Sequence, residues 1–196
     1  MSDKIVLDRD DLRRTLVRIA HEIIEKNPDS DAPGSESIAL VGIHTRGATL
    51  ARRLHALVGE LTGEALPLGD IDISFYRDDV GDRPIGSSPV VHSSHLDFEL
   101  EGRTVILVDD VMYTGRTGRA GIEALFDYGR PARVQLAVIA DRGHRELPIR
   151  PDYVGKNLPT AHGERVTVRL EEIDGLDEVT IGRSPRPEPA PAGRPR

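Results

Sequence analysis

Cysteine is missing from all 196 residues, which rules out disulfides and thiolate metal sites alike. Long apolar runs are missing too: nothing approaches the ~18–20 consecutive apolar residues that a membrane-spanning helix requires. The opening Met1-Ser2-Asp3-Lys4-Ile5 has no apolar stretch of the kind a secretory signal carries. A cytoplasmic protein with no membrane partner is expected. Positive charge is in short supply, with 26 Lys and Arg against 33 Asp and Glu and a formal net charge of −7. That excludes a surface coated in basic residues. It leaves room for a local basic patch, because affinity for polyanions follows the distribution of charge as well as its total. No Gly-x-x-x-x-Gly-Lys-Ser/Thr run occurs, so a nucleotide P-loop is excluded.

What is present is an ordinary soluble composition, 38% hydrophobic and 30% charged, on a chain long enough for one domain with a sizeable core. Residues 1–182 read as that domain. Residues 183–196 are rich in Pro, carry Arg183, Arg186, Arg194 and Arg196 against Glu188, and lack large apolar residues; they read as a disordered tail.

A first helix is expected to begin near Asp10 or Asp11, whose carboxylates suit the free amides of a first turn. Leu12, Leu16, Ile19, Ala20, Ile23 and Ile24 recur at helical spacing, and Arg14, Arg18 and His21 fall on the opposite face. Ile38 to Ile43 is a continuous apolar run, as expected of a strand buried on both faces. The turn His44-Thr45-Arg46-Gly47 leads into a helix with Leu50, Leu54 and Leu57. Ile71, Ile73 and Phe75 alternate as a second strand. Residues 77–101 have weak periodicity, and a connection of that length points to a flexible lid or binding loop. Thr104 to Val108 is the clearest strand, followed by a helix from about Thr117 to Tyr128; Val134–Ala140, 165–170 and 179–181 complete the strands. Strands alternating with helices imply an α/β fold with a mainly parallel sheet, and ligands of such sheets bind beyond the carboxyl ends of the strands.

The sharpest segment lies at one such end: Val105-Ile106-Leu107-Val108-Asp109-Asp110-Val111-Met112-Tyr113-Thr114-Gly115-Arg116-Thr117. An apolar strand delivers two adjacent carboxylates, and a Thr-Gly-Arg-Thr turn then opens a helix. A helix N-terminus leaves amides unpaired and carries partial positive charge, which suits a phosphate. Thr114 and Thr117 add hydroxyl donors, and Gly115 allows close approach of backbone to an oxygen. Asp109 and Asp110 cannot hold phosphate. They suit the hydroxyls of a ribose and a Mg²⁺ ion held through water. Phosphate, diol and metal together describe a ribose 5-phosphate. The competing reading is a core strand followed by a capped helix. A phosphorylation receiver domain also pairs aspartates, but after its first strand and without the following cradle.

This segment resembles the phosphoribosyl pyrophosphate-binding motif of type I phosphoribosyltransferases. Arg18-Ile19-Ala20-His21-Glu22, Thr45-Arg46-Gly47, Tyr76-Arg77-Asp78-Asp79, Asp141 to Arg150 and Asp152-Tyr153-Val154-Gly155-Lys156-Asn157 resemble the PyrR family in order and spacing, over residues from about 5 to 181. The resemblance implies a type I phosphoribosyltransferase fold, in which helices flank a mainly parallel sheet capped by a small C-terminal hood. It implies a uracil phosphoribosyltransferase using phosphoribosyl pyrophosphate and Mg²⁺. It also implies attenuation of pyrimidine gene transcription through an mRNA stem-loop, under control of UMP or UTP, by a homo-oligomer, dimer or tetramer. An RNA-binding regulator with little residual catalysis is the alternative.

The resemblance also assigns roles. Thr45-Arg46-Gly47 is similar to the family's pyrophosphate loop, where Arg46 would clamp a diphosphate with two parallel hydrogen bonds. Arg77 would close over the same diphosphate. Tyr113 replaces the aspartate that purine-using relatives employ as acid and base, and a phenol is a poor base at neutral pH. Uracil would lie near Arg142 and Val154, although a purely structural Arg142 is an equal reading. Arg14, Arg18, His21, Lys26, His144, Arg145, Arg150 and Lys156 match positions that hold RNA in the family, against the alternative of a solvated helix face with structural ion pairs. Val17 stands where RNA-binding members commonly carry threonine. Gly118 and Gly121 cost roughly 1 kcal/mol each relative to alanine within a helix, which close packing against the phosphate turn would offset.

Overall fold

The computed structural model describes residues 3–28, 38–76 and 93–183. Arg77, most of the anticipated lid and the tail beyond Arg183 lie outside the described residues.

The elements run β1 (Lys4–Leu7), α1 (Arg9–Lys26), β2 (Ile38–Ile43), α2 (Arg46–Thr62), β3 (Leu68–Ile71), β4 (Thr104–Met112), α3 (Arg116–Phe126), β5 (Arg133–Asp141), β6 (Tyr153–Asn157), β7 (Glu164–Arg169), α4 (Glu171–Asp174) and β8 (Glu178–Arg183). β2 to β6 form a five-stranded sheet in the order β3-β2-β4-β5-β6, and every pairing in it is parallel. The α/β class is as anticipated.

β4 shows why its sequence is apolar without interruption. Ile106 and Val108 pack in a core with Leu12, Leu16 and Ile19 of α1 and Leu50 and Leu54 of α2. Val105 and Leu107 face the other way, into a core with Ala120, Ala124 and Leu125 of α3. Alternate side chains of a strand point to opposite faces, so a strand covered on both sides must be apolar at every step. Each such Leu or Ile contributes ~1.5–3 kcal/mol when fully buried. Gly121 belongs to the second core. A β-carbon there would stand 2.8 Å from Ile43 Cδ1, so that glycine serves the seat of α3 on the sheet rather than the phosphate turn.

Several boundaries differ from expectation. Asp8, not Asp10 or Asp11, caps α1: its carboxylate accepts from the Asp11 amide at 2.8 Å, and Asp11 reciprocates to the Asp8 amide at 3.4 Å. A box needs an acceptor three residues ahead of its partner, and only Asp8 stands three ahead of another carboxylate. The strand expected around Ile71, Ile73 and Phe75 ends at Ile71. The Asp72 carboxylate accepts from the Ser74 amide at 2.7 Å, a local turn that competes with the ladder, and Phe75 is 78% exposed. The returning end of the anticipated lid is packed rather than free. Asp70 and His95 exchange backbone hydrogen bonds at 3.0 and 2.9 Å, and Leu100 is 1% exposed.

The hood is built from both ends of the chain. β1, β8 and β7 form an antiparallel sheet with β8 in the middle. The expected C-terminal pair is thus completed by Lys4–Leu7, four residues too short to show a period.

Candidate active site

The ends of β2, β4 and β5 bring the candidate residues together. At the end of β4, Asp109 and Asp110 are each pinned by the next amide: Asp110 N–H donates to Asp109 Oδ1 at 2.9 Å and Val111 N–H to Asp110 Oδ1 at 2.8 Å. Both carboxylates are half-buried. Burial pushes the Asp110 carboxyl above the ordinary carboxylate range, while hydrogen bonds from Asp109 and Val111 and the charge of Arg46 pull it down.

Five residues on from Asp110, Gly115 takes φ 95° as the N-cap of α3. A side chain in that conformation is strained, so glycine is required for the chain to turn from strand to helix within Tyr113 and Thr114. The first amides of α3 have no partner within the helix. Thr114 and Thr117 flank them, and the Arg116 amide donates to Thr114 Oγ1 at 3.3 Å.

The turn after β2 packs on β4 just ahead of this cradle. The His44–Thr45 peptide is cis, and α2 begins at Arg46. Gly47 has no room for a side chain, because a β-carbon would overlap the Val108 carbonyl oxygen. Arg46 pairs with Asp174 of α4 at 2.7 Å. Among the described residues its buried Nε has no hydrogen-bond partner.

The loop after β5 braces the phosphate turn from outside. The Thr114 carbonyl accepts from the Glu146 and Leu147 amides at 2.9 and 3.0 Å, and Arg116 pairs with Glu146 at 2.7 Å. Arg145 donates to the Tyr113 carbonyl at 2.7 Å and the Ile149 carbonyl at 3.0 Å, and pairs with Asp141. Arg142 is buried, donates to Thr160 Oγ1 at 3.1 Å, and sets its guanidinium 4.1 Å from the Tyr113 ring centroid. Arg142, Arg150, Val154 and Thr160 line an open pocket of about 570 Å³ beyond the ends of β5 and β6.

The residues matched to RNA contacts fall into two groups. Arg18 and Lys26 lie along the seam where α1 meets β6. Arg18 Nη2 donates to the Val154 and Gly155 carbonyls at 3.0 and 2.5 Å, and Lys26 reaches the Asp152 carbonyl at 2.8 Å. Lys156 of β6 donates to the Val6 carbonyl at 3.1 Å. Arg14 and His21 are exposed on α1, with Arg14 paired to Asp11 at 2.7 Å; Val17, beside them, is half-buried. His144, Arg145 and Arg150 stand apart in the loop after β5. His144 is held against the Thr160 carbonyl at 2.6 Å, and Arg145 is committed to the turn it braces.

Three contributors were given no role from sequence: Asp174, Asp141 and Thr160. Asp141 could have been found, since it ends an apolar run as Asp109 does. Asp174 lies 128 residues from Arg46 in an acidic stretch with no local pattern, and nothing in sequence pairs the two.

Comparison with known proteins identifies the family. Residues 8–172 match the phosphoribosyl transferase domain family. The chain is 55% identical over 185 residues to the bifunctional protein PyrR of Roseiflexus sp. strain RS-1, covering 94% of this chain and 97% of the relative. It is 54% identical over 176 residues to that of Deinococcus deserti, covering 90% and 92%. In fold it is similar to the hypoxanthine phosphoribosyltransferase of Trypanosoma cruzi, with a TM-score of 0.69 at 19% identity over 93% of this chain and 97% of that one. The Staphylococcus aureus hypoxanthine enzyme gives 0.65 at 18%, over 93% of both chains. The chain is therefore a member of the phosphoribosyltransferase domain family and, within it, of the PyrR proteins.

Proposed function

We propose that the protein is a uracil phosphoribosyltransferase, converting uracil and phosphoribosyl pyrophosphate to UMP and diphosphate. We also assign it uridine-nucleotide-dependent binding to an mRNA stem-loop of pyrimidine biosynthesis genes, as an attenuator of their transcription. The observation that carries the enzymatic half is the convergence of three elements on one space. These are the paired carboxylates ending β4, the open N-terminus of α3 and the Arg46 turn seated on β4 through Gly47.

In this reading the α3 amides with Thr114 and Thr117 hold the 5-phosphate, and Asp109 and Asp110 hold the ribose hydroxyls. Arg46 faces the diphosphate. As the C1′–O bond breaks, the sugar gains positive character beside two carboxylates, and negative charge on the leaving group develops toward a guanidinium. Uracil N1 bonds to C1′ as diphosphate leaves, and the N1 proton passes to solvent. Charge fixed in advance of the reaction is usually the largest catalytic contribution.

The donor set fits Mg²⁺. Among the described residues no cluster of three or more His, Asp or Glu forms a metal cage, and Mg²⁺ characteristically takes one or two carboxylates with substrate phosphates instead. Asp109 and Asp110 would hold it, and it would supply Lewis-acid stabilisation of the diphosphate.

Tyr113 supports a pyrimidine substrate, because its ring is engaged by Arg142 and offers no carboxylate to a purine ring nitrogen. Intact Asp109, Asp110 and Arg46 favour an active enzyme over a regulator without catalysis. The test is turnover of uracil against hypoxanthine, guanine and orotate with Mg²⁺ and phosphoribosyl pyrophosphate. Uracil should be strongly preferred; equal or better use of hypoxanthine overturns the assignment.

A further inference from the structure

Arg46 is 32% exposed at its side chain and Asp174 21%, so their ion pair is partly withdrawn from solvent. Among the described residues the hydrogen bonds of the Arg46 side chain go to Asp174 alone, through Nη2 at 2.7 Å, while Nε is buried and unpartnered. Asp174 is fixed on its other side. Its Oδ2 accepts from the Leu170 amide at 2.9 Å, and its own amide donates to the Leu170 carbonyl at 2.7 Å. The pair therefore has a stationary member, the carboxylate, and a member held only at its tip, the guanidinium.

The nitrogen that Asp174 holds matters. A guanidinium makes two-bond contacts through the edge formed by Nε and Nη2 or the edge formed by Nη1 and Nη2. Nη2 is common to both. A carboxylate on Nη2 stands where either kind of clamp on an anion would form.

We propose that Asp174 is a resident counter-ion that competes with diphosphate for Arg46 and thereby sets the affinity of the site for diphosphate groups. It partners the half-buried guanidinium while the site is empty. It yields Nη2 when a more highly charged anion arrives, and its anchorage to Leu170 keeps it ready to recapture Arg46 as that anion departs. Asp174 acts through Arg46 and touches no reacting atom; it is a positioning residue. Two forces could follow from its removal. Freeing the guanidinium costs side-chain order, which would weaken anion binding. Removing a competing charge-assisted hydrogen bond would strengthen it. Arg46 is already two-thirds covered, so little order remains to lose, and the release from competition wins.

The inference rests on the assignment of Arg46 to the diphosphate, and the variants separate the two. Calorimetric titration of the full-length protein with inorganic diphosphate in the presence of Mg²⁺ is the measurement. Asp174→Asn keeps an oxygen for the Leu170 amide and should tighten binding on the order of tenfold, the scale of one charge-assisted hydrogen bond. In an Arg46→Gln background the same change should have about a twofold effect or less. Asp177→Asn loosens α4 by breaking its pair with Arg53 at 2.7 Å without touching Arg46, and should leave diphosphate affinity unchanged. Asp174→Ser, whose hydroxyl can still accept from Leu170, serves if the asparagine variant does not fold. Unchanged or weaker binding in Asp174→Asn overturns the inference, as does tightening that persists undiminished beside Arg46→Gln or is matched by Asp177→Asn. If Arg46→Gln alone leaves diphosphate binding intact, the assignment of Arg46 falls and the inference falls with it.

Discussion

Gly47 lies so close to Val108 that a β-carbon on it would overlap the Val108 carbonyl oxygen and stand 3.2 Å from Asp109 Cα. The turn proposed to meet diphosphate is thus in direct backbone contact with the strand proposed to meet ribose.

Gly47→Ala tests whether that contact sets the site. The added methyl must push α2 off β4, and overpacking of this kind costs typically ~1–3 kcal/mol. Misplacement of catalytic groups by about 1 Å is enough to lose roughly 100-fold in rate. Thermal melts and uracil turnover should show a modest loss of stability beside a large loss of activity. Near-normal turnover would mean that the Arg46 turn and the carboxylates act independently.

Asp110 is expected to trade stability for function. Burial raises its carboxyl in the fold against Asp109, Val111 and Arg46, so the charged form is destabilising at neutral pH. The penalty is complete above the raised value, shrinks as pH falls through it, and vanishes below the ordinary carboxylate range near ~4. Asp110→Asn should therefore raise the melting temperature at pH 7 to 8, with a gain that shrinks as the pH falls toward the ordinary carboxylate range. Together with Asp109→Asn it should cut turnover by ~100-fold or more, the scale of losing a strong electrostatic stabiliser. A double variant that is folded and nearly fully active would show that ribose binds elsewhere.

Tyr113→Phe separates the ring from the hydroxyl. The stacking of Arg142 at 4.1 Å belongs to the ring, and a phenol is a poor base at neutral pH. Turnover of uracil should stay close to that of the native protein in Tyr113→Phe and fall in Tyr113→Ala, which uncovers Arg142. Loss of turnover in both would assign the hydroxyl a direct part in the chemistry.

The ease of reading the site from sequence follows from how local each part is. Asp109, Asp110 and the Thr114–Thr117 turn are contiguous, and β4 announces itself because both of its faces are buried. Arg46 was legible through Thr45 and Gly47. Its partner Asp174 was not, because an ion pair across 128 residues leaves no periodicity. Phe75 misled for the opposite reason: alternation with Ile71 and Ile73 imitates a strand, and only the Asp72 turn, at 2.7 Å to Ser74, ends it. Arg145 was matched to RNA or, in the alternative, to a structural ion pair, and the fold gives it three carbonyls and Asp141.

Arg18 joins the two proposed functions physically. It belongs to the α1 face matched to RNA, yet Nη2 donates to the carbonyls of Val154 and Gly155, and Val154, near which uracil is expected to lie, lines the pocket beyond β5 and β6. A change in β6 on nucleotide binding therefore reaches a side chain on the RNA face through two hydrogen bonds. Coupling between sites is reciprocal, so UMP should tighten RNA and RNA should tighten UMP by the same factor. Arg14 is exposed, and among the described residues it pairs with Asp11 on its own helix and has no such link. Arg14→Ala should weaken RNA at every UMP concentration and flatten the salt dependence by roughly 0.7–0.9 in log–log slope. It should leave the UMP effect intact. Arg18→Ala should weaken RNA and also reduce the UMP effect, since the connection to Val154 is cut. Gel-shift titrations against a stem-loop from pyrimidine gene transcripts, with and without UMP, distinguish the two. Equal loss of affinity in both variants with an unaltered UMP effect would place the coupling somewhere other than Arg18. Binding of native protein no tighter than to a scrambled RNA would remove the regulatory function and leave only the enzyme.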